Sequence, residues 1–211
     1  MNERGILIVV SGFSGAGKGT LMKRLLEKYE ERYALSISAT TRQPREGERD
    51  GVEYFFKTKE EFEKMIAKEE LIEYARYVEN YYGTPRAYVE QMLEAGKDVI
   101  LEIEIQGALK VKKAFPDTLL LFVVPPSAGE LKERLIGRGT ESMDVIESRL
   151  KRAVEESEGM EQYEYLIVND DLEVCVEQMH QIICGEHHRS SRNKEFIQVF
   201  CTGRSDTRFS Q

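Results

Sequence analysis

Apolar residues in this chain occur in short, nearly continuous runs that are separated by segments with helical spacing. Such runs are typical of strands buried on both faces of a parallel sheet. Five of them lie at 6–10, 34–37, 99–105, 119–124 and 165–168. Apolar positions three and four residues apart predict helices over 18–30 and 171–183, the second capped by Asp170 or Asp171. We therefore expect an α/β fold with a doubly wound, parallel five-stranded sheet core.

Residues 36–95 do not follow this alternation. Short apolar stretches at 54–56 and 71–77 predict strands on either side of a helix at 60–68, and residues 86–94 have helical spacing. We interpret 36–95 as a small α+β module inserted into the core.

A second departure from the alternation is the segment 129–157, which is rich in Arg and Glu. Its helical pattern is interrupted at 137–140 and predicts a helical lid. The core then comprises 1–35, 96–128 and 158–184. The tail, 185–211, is polar, and we expect most of it to be disordered, although 196–200 has the apolar pattern of an edge strand.

Composition and charge narrow the class of protein. A net charge of −8 over 211 residues argues against a nucleic-acid-binding surface. The sequence contains no apolar window of about 18 residues and no secretory leader pattern. Cys175, Cys184 and Cys201 lack the paired spacing of a disulfide framework or a zinc site. We expect a cytoplasmic protein that binds neither nucleic acid nor membranes.

The first apolar run leads directly into SGFSGAGKGT at 11–20. The glycines of this segment are Gly12, Gly15 and Gly17. They permit positive φ, so successive backbone N–H groups can point inward toward an anion. Lys18 adds a positive charge, and the helix that follows directs the positive end of its dipole to the same place. The spacing G-x-x-x-x-G-K is that of a phosphate-binding P-loop.

A P-loop does not by itself identify a reaction. The base-reading N-K-x-D motif of GTPases is absent, because the Asn-Lys pair at 193–194 has no Asp two residues later. The H-R-D and D-F-G motifs of protein kinases are absent too. A dinucleotide-binding fold would need glycine in place of Thr20. Phosphoryl transfer to a small acceptor remains, as does the use of nucleotide binding for work or regulation.

Six segments of the chain resemble the guanylate kinase family, and they follow the same order. They are SGFSGAGKGT at 11–20, SISATTRQPREGERDGVEYFF at 36–56, ELIEYARYVENYYGTP at 70–85, LEIEIQGA at 101–108, ERLIGRGTES at 133–142 and YLIVNDD at 165–171. The resemblance covers about residues 5–183. It implies transfer of the γ-phosphoryl group of ATP to GMP, giving ADP and GDP in purine nucleotide metabolism, with Mg²⁺ as cofactor.

The inserted module would hold the phosphate of GMP. Arg42 and Arg45 can form forked hydrogen bonds to a phosphate. Tyr54 and Tyr82 can donate phenolic hydroxyl groups to the same phosphate, as the matching tyrosines of the family do. The alternative for Tyr82 is simple packing within the module.

Guanine would be recognised by side chains that accept from its N1–H and N2–H groups and donate to its O6. The resemblance places Glu73 and Glu104 at the two donors, and Ser38 and Thr84 at O6. Glu102 would act on the metal through water or on the acceptor phosphate. The family more often has Asp where Glu104 stands. A site built for such donors rejects a base that lacks them.

ATP is expected to bind residues of the loop and one residue near the last strand. The loop residues are Gly12, Phe13, Ser14, Gly15, Ala16, Gly17, Lys18, Gly19 and Thr20. Asn169 would contact the adenine end, and the hydroxyl of Thr20 would reach Mg²⁺ directly or through water. Phe13 stands where the family commonly has proline.

Charge on the transferring group is expected to be stabilised by a set of cations. They are Lys18, Arg42, Arg134, Arg138 and Arg149. No general base is needed, because the acceptor is already an anionic phosphate oxygen.

Two other functions stay open at this point. One is a catalytically inactive guanylate-kinase-like module that binds phosphopeptides, against which Lys18 and the intact glycine loop argue. The other is a kinase for AMP or UMP, against which Glu73, Ser38 and Thr84 argue. The chain is expected to be a monomer or a homodimer.

Overall fold

The computed structural model describes residues 4–77, 79–137, 139 and 142–202. In chain order its strands are β1 (Leu7–Gly12), β2 (Tyr33–Leu35), β3 (Ala39–Thr40), β4 (Phe55–Phe56), β5 (Leu71–Tyr77), β6 (Asn80–Pro85), β7 (Asp98–Glu102), β8 (Leu119–Val124) and β9 (Tyr165–Val168). Its helices are α1 (Lys18–Lys28), α2 (Lys59–Ala67), α3 (Arg86–Glu94), α4 (Ile105–Ala114), α5 (Ala128–Gly137), α6 (Met143–Ser157), α7 (Leu172–His187) and α8 (Lys194–Thr202). Within these described ranges, every helix is too short or too polar to cross a membrane.

The core is a parallel sheet with strand order β2-β7-β1-β8-β9. The central strand, β1, is buried on both faces, as its continuous apolar run predicts. Ile8 and Val10 pack on one face with side chains of α1 and α7. Val9 packs on the other face with side chains of α3 and α4. Helices therefore cover both faces, which confirms the predicted doubly wound α/β core.

The buried carboxylate of Asp98 ties three parts of the core together where β7 begins. Its side chain is 1% exposed and accepts hydrogen bonds from the backbone N–H of Ile6 at 2.8 Å and from the Nε of Arg32 at 3.2 Å. The Nε2 of His187, at the end of α7, lies 2.8 Å from the same carboxylate. A buried carboxylate needs such partners, since burying an unpaired charge is strongly unfavourable.

A second, four-stranded sheet of order β4-β3-β6-β5 lies within the inserted segment. Pairing of β6 with β5 and with β3 is antiparallel, whereas β3 and β4 are parallel. The helix α2 begins in a capping box, in which the Thr58 hydroxyl accepts from the Glu61 N–H and the Glu61 carboxylate accepts from the Thr58 N–H. Phe62 on this helix is fully buried and stacks on Tyr81 of β6 at 5.3 Å. This segment therefore has its own apolar centre.

The helices α5 and α6 occupy the segment for which a lid is predicted, on either side of the predicted interruption. Their buried side chains make a small apolar cluster, which consists of Leu131, Leu135, Ile146 and Ala153. Phe13 packs against this cluster from the loop after β1.

The structure differs from the sequence predictions at several elements. The strand predicted over 99–105 ends at Glu102, and Ile105 begins α4, so Glu102 and Glu104 do not share a strand face. The last pair between β7 and β1 is Glu102 with Val10, beyond which β7 has no partner on that side. The strands β3 and β6 and the helix α4 were not predicted. The helix α8 covers 194–202 of the tail, so this stretch is neither an edge strand at 196–200 nor disordered, as the sequence predicted. The predicted cap is confirmed for Asp171, which accepts from the Val174 N–H at 2.9 Å.

Candidate nucleotide site

The loop after β1 has the backbone of a phosphate cradle. Gly12 has φ of 154° and Gly17 has φ of 88°, conformations that side chains with a Cβ rarely adopt. Both glycines are also crowded. A Cβ on Gly12 would lie 2.2 Å from the carbonyl oxygen of Val123, and one on Gly17 would lie 2.4 Å from the Nδ2 of Asn169. The loop therefore requires glycine at these two positions for space as well as for dihedral angles.

Lys18, the first residue of α1, points back across its own loop. Its ammonium group donates to the carbonyl oxygen of Gly12 at 2.6 Å and to that of Phe13 at 3.1 Å. The positive charge is thereby held beside the N-terminus of α1, where the helix dipole also favours an anion. The arrangement is suited to bind a polyphosphate.

Asn169 supports the loop through a side-chain hydrogen bond. It follows β9, is 7% exposed, and its amide nitrogen donates to the carbonyl oxygen of Ala16 at 2.8 Å. Its own backbone carbonyl oxygen accepts from the Nη2 of Arg134 on α5 at 2.9 Å. The structure thus assigns Asn169 a supporting contact that the sequence had not indicated, and its expected contact with adenine stays a prediction.

Phe13 is packed rather than free. Its ring contacts apolar residues on both faces of the core sheet and the cluster of α5 and α6, and it meets Phe122 of β8 edge to face at 5.2 Å. The aromatic residue that replaces the family's proline therefore adds a hydrophobic contact to the loop.

A cavity of about 460 Å³ opens between the loop, the end of β7 and the helix α6. Its polar lining includes Ser14, Lys18, Glu102, Glu104, Ser148, Arg149, Arg152 and Glu156. Cations and carboxylates face each other across it, so it offers donors for phosphates and acceptors for base or sugar groups.

Two of the three predicted lid arginines can be located. Arg149 on α6 extends to the loop, where its Nη1 lies 3.3 Å from the Oγ of Ser14. Arg134 on α5 pairs with Glu130 at 2.9 Å as well as with the carbonyl oxygen of Asn169. Arg138 lies outside the described residues. Thr20, the predicted metal contact, is exposed on the first turn of α1.

The predicted phosphate-binding side chains of the module lie together at one end of the second sheet. The guanidinium of Arg42 lies over the ring of Tyr54 at 5.3 Å, and the rings of Tyr54 and Tyr82 are 6.1 Å apart. Glu48 pairs with Arg42 at 2.8 Å and accepts from the backbone N–H of Arg45 at 2.8 Å. The hydrogen bond from Arg42 lowers the pKa of the Glu48 carboxyl. The Glu48 carboxylate therefore holds the loop 42–49 in its conformation. In the sequence, only its place among the arginines of this loop indicated such a role.

Glu73 and Thr84 are brought together on the neighbouring strands β5 and β6. The Thr84 hydroxyl donates to the Oε1 of Glu73 at 2.8 Å. Burial raises the pKa of the Glu73 carboxyl, and the hydrogen bond from Thr84 opposes that rise. A Cβ on Gly107, in the first turns of α4, would lie 3.5 Å from the Oε2 of Glu73. The carboxylate therefore lies against α4. Ser38 precedes β3, where its carbonyl oxygen accepts from the Phe55 N–H at 2.9 Å.

Glu104 has a different setting from Glu73. It is the N-cap residue of α4, its side chain makes no capping hydrogen bond, and it is 70% exposed. Its Oε1 lies 2.9 Å from the Nη2 of Arg152 on α6. The sequence analysis did not identify Arg152 as a site residue. Its place one helical turn after Arg149 is the one feature of the sequence that could have indicated it.

The predicted residues thus form three groups. Lys18, Glu102, Glu104 and Arg149 line the cavity, with Ser14 and Gly12 of the loop. Glu73 and Thr84 form a second group beside α4, and Arg42, Tyr54 and Tyr82 form a third at the end of the module. In the described part of the chain, the third group does not line the cavity.

Comparisons with known proteins agree with this geometry. The family model described as guanylate kinase matches residues 4–186. A guanylate kinase of Bacillus anthracis is 54% identical over 202 residues, which cover 96% of this chain and 98% of the relative. A guanylate kinase of Bacillus subtilis (strain 168) is 53% identical over 192 residues, covering 91% and 94%. The crystal structure of guanylate kinase from Anaplasma phagocytophilum superposes with a TM-score of 0.70 at 32% identity and covers 90% of both chains. A phosphate-binding loop, a module with buried acceptors and a family match across most of the chain lead to one conclusion: the protein belongs to the guanylate kinase family.

Proposed function

We propose that this protein transfers the γ-phosphoryl group of ATP to GMP, giving ADP and GDP. The observation that carries the proposal is that Lys18 and Glu104 line one cavity. Lys18 is suited to bind the phosphates of a donor nucleotide, and Glu104 is suited to bind the base of an acceptor nucleotide. ATP:GMP phosphotransfer is also the activity of the family to which the chain belongs.

The donor nucleotide would bind the loop 12–20. Backbone N–H groups of the loop would hold the β-phosphate, and Lys18 would leave the carbonyl groups of Gly12 and Phe13 to bridge the β- and γ-phosphates. Arg149 already reaches the loop through Ser14 and is placed to neutralise charge on the transferring group. Asn169 and the loop residues Phe13, Gly15, Ala16, Gly17 and Gly19 would complete the ATP site.

The acceptor nucleotide would bind the inserted module. Arg42, Arg45, Tyr54 and Tyr82 would hold its phosphate. Glu73 would accept from guanine N1–H and N2–H, with Thr84 and Ser38 near O6, and Glu104 would approach the base from α4. AMP presents no donor at N1, so the Glu73 carboxylate would lose its partner on the base and keep only the hydrogen bond from Thr84. We therefore expect rejection of AMP by a factor of roughly 10⁴.

Glu102 lines the same cavity as Lys18, and Thr20 is exposed on the first turn of α1, so both offer oxygen donors that fit Mg²⁺. Within the described residues, no three His, Cys, Asp or Glu side chains converge as a metal site. Mg²⁺ does not require such a cluster, because it keeps several waters and binds through one or two protein oxygens and substrate phosphates. Thr20 and Glu102 would hold it through such contacts. When bound, the ion would neutralise phosphate charge.

The chain's own residues would act mainly by positioning and charge neutralisation. Lys18, Arg42, Arg134, Arg138 and Arg149 would surround the transferring group, and no side chain has to remove a proton from the acceptor phosphate. Because the group that contains Arg42 lies outside the cavity, the reaction requires closure of the module 36–95 toward the core. Closure of the module and of the lid 129–157 would also exclude water.

The test is a coupled ADP-release assay with ATP and Mg²⁺ and with GMP, AMP, UMP or CMP as acceptor. We expect turnover with GMP alone. Lys18→Ala should reduce kcat by a factor of about 10³ or more, because it removes the main cation of the donor site. Lys23→Ala, an exposed residue on the same helix, is the matched control and should leave turnover unchanged. Equal rates with all four acceptors, or unchanged turnover in Lys18→Ala, would contradict the proposal.

A cytoplasmic location and a monomer or homodimer complete the proposal. The free thiols of Cys175, Cys184 and Cys201 are compatible with a reducing compartment. Light scattering of the purified protein after size-exclusion chromatography measures the oligomeric state.

A further inference from the structure

Arg152 connects α6 to the start of α4. Its Nη2 lies 2.9 Å from the Oε1 of Glu104, and its Nε donates to the Oε1 of Glu156 at 3.0 Å. All three side chains line the cavity. The guanidinium therefore bridges a carboxylate of the lid segment and a carboxylate of the core within the lining of the cavity.

The Glu104 side chain extends from the N-terminus of α4 to this contact. Glu104 caps α4 with its backbone only, and its side chain is largely exposed. Such a side chain would sample several rotamers without a partner, and ordering it on binding guanine is unfavourable. An ionised carboxylate offers about four acceptor sites on two oxygens, so one guanidinium contact leaves room for two guanine donors.

We propose that Arg152 is a positioning residue for guanine recognition, which holds the Glu104 carboxylate from α6. This inference rests on the proposed function, in which Glu104 contacts the base. The same helix carries Arg149, whose side chain reaches Ser14 in the donor loop. Because α6 contacts both the donor loop and the guanine-reading acid, GMP binding and lid placement are coupled through one helix.

The first variant is Arg152→Gln. We expect it to raise the KM for GMP about two- to fivefold, the range that one well-aligned exposed ion pair supports, with a smaller change in kcat and in the KM for ATP. Arg152→Lys should restore part of the loss, since it keeps the charge but not the fork. Lys151→Gln removes an exposed charge one residue earlier on α6 and is the matched control, with no expected change. Equal melting temperatures of all variants would exclude a folding effect.

A double-mutant cycle with Glu104→Ala tests the coupling. We expect Glu104→Ala alone to raise the KM for GMP, and Arg152→Gln to add nothing in that background. An unchanged KM for GMP in Arg152→Gln, or additive effects of the two changes, would overturn the inference and leave the proposed reaction intact. If Glu104→Ala leaves the KM for GMP unchanged, the proposed role of Glu104 itself fails, and the inference fails with it. The loss of turnover in Lys18→Ala tests the phosphotransfer independently of both.

Discussion

Gly17→Ala would test whether the shape of the phosphate loop limits ATP binding. At φ of 88° an alanine is strained by about 1–2 kcal/mol. Its Cβ would also lie 2.4 Å from the Nδ2 of Asn169, so the amide must move and lose its hydrogen bond to Ala16, a further ~1 kcal/mol. The loop can relieve this strain by leaving the phosphate-binding conformation. We therefore expect the loss, together about 2–3 kcal/mol, to appear as a ~30- to 150-fold weaker affinity for ATP.

The measurement is calorimetric titration with a non-hydrolysable ATP analogue, together with the KM for ATP. Gly19→Ala is the matched control in the same loop. A Cβ on Gly19 would have no neighbour within 4 Å, and its φ is not in the positive range. This change should leave the affinity for ATP within about twofold, because alanine is also the better helix former in α1. Equal effects of the two substitutions, or wild-type affinity in Gly17→Ala, would refute the steric reasoning.

Two further predictions concern the carboxylates of Glu73 and Asp98. Because burial raises the pKa of Glu73 and guanine donors bind only its ionised form, the KM for GMP should rise as the pH falls, starting above the ordinary glutamate range of about 4.3. Initial rates across pH measure this, and Glu73→Gln should flatten the profile; a flat wild-type profile would speak against the role of Glu73. Asp98→Asn should lower the free energy of unfolding by about 2–4 kcal/mol, because the amide is uncharged and keeps one acceptor oxygen, so its NH₂ group faces either the Ile6 N–H or the Arg32 Nε, which are both donors. Urea unfolding measures the loss, exposed Asp117→Asn is the control, and equal stability of the two would contradict the reasoning.

The core was predictable because its strands are continuous apolar runs. The strand at 6–10 and the glycines that follow it specify a buried element and a turn by local chemistry alone, and β1 and the loop have that structure. The buried partners of the loop were not predictable. Asn169 meets Ala16, 153 residues away in sequence, only because β9 lies beside β8.

The predictions that failed share a physical cause, since the structure of those segments depends on distant partners. The sequence of β6, NYYGTP, has no clean alternation and contains glycine and proline, and it is a strand because β3 and β5 pair with it. The alternation in EIEI extends the strand pattern to 105, whereas β7 pairs with β1 only up to Glu102. Glu104 consequently lies at a helix N-terminus rather than in a strand, where α6 can reach it.

We expect the contacts of the Phe13 ring to make the packing of α5 and α6 on the loop depend on temperature. The ring packs against apolar side chains on both faces of the core sheet and against the cluster of α5 and α6. Separation of these helices from the loop would therefore wet apolar surface, which carries a positive heat-capacity change and becomes relatively easier on cooling. A proline side chain at this position would bury less apolar area in these contacts. The aromatic residue thus favours contact between the loop and the helices α5 and α6, and this contribution weakens as the temperature falls.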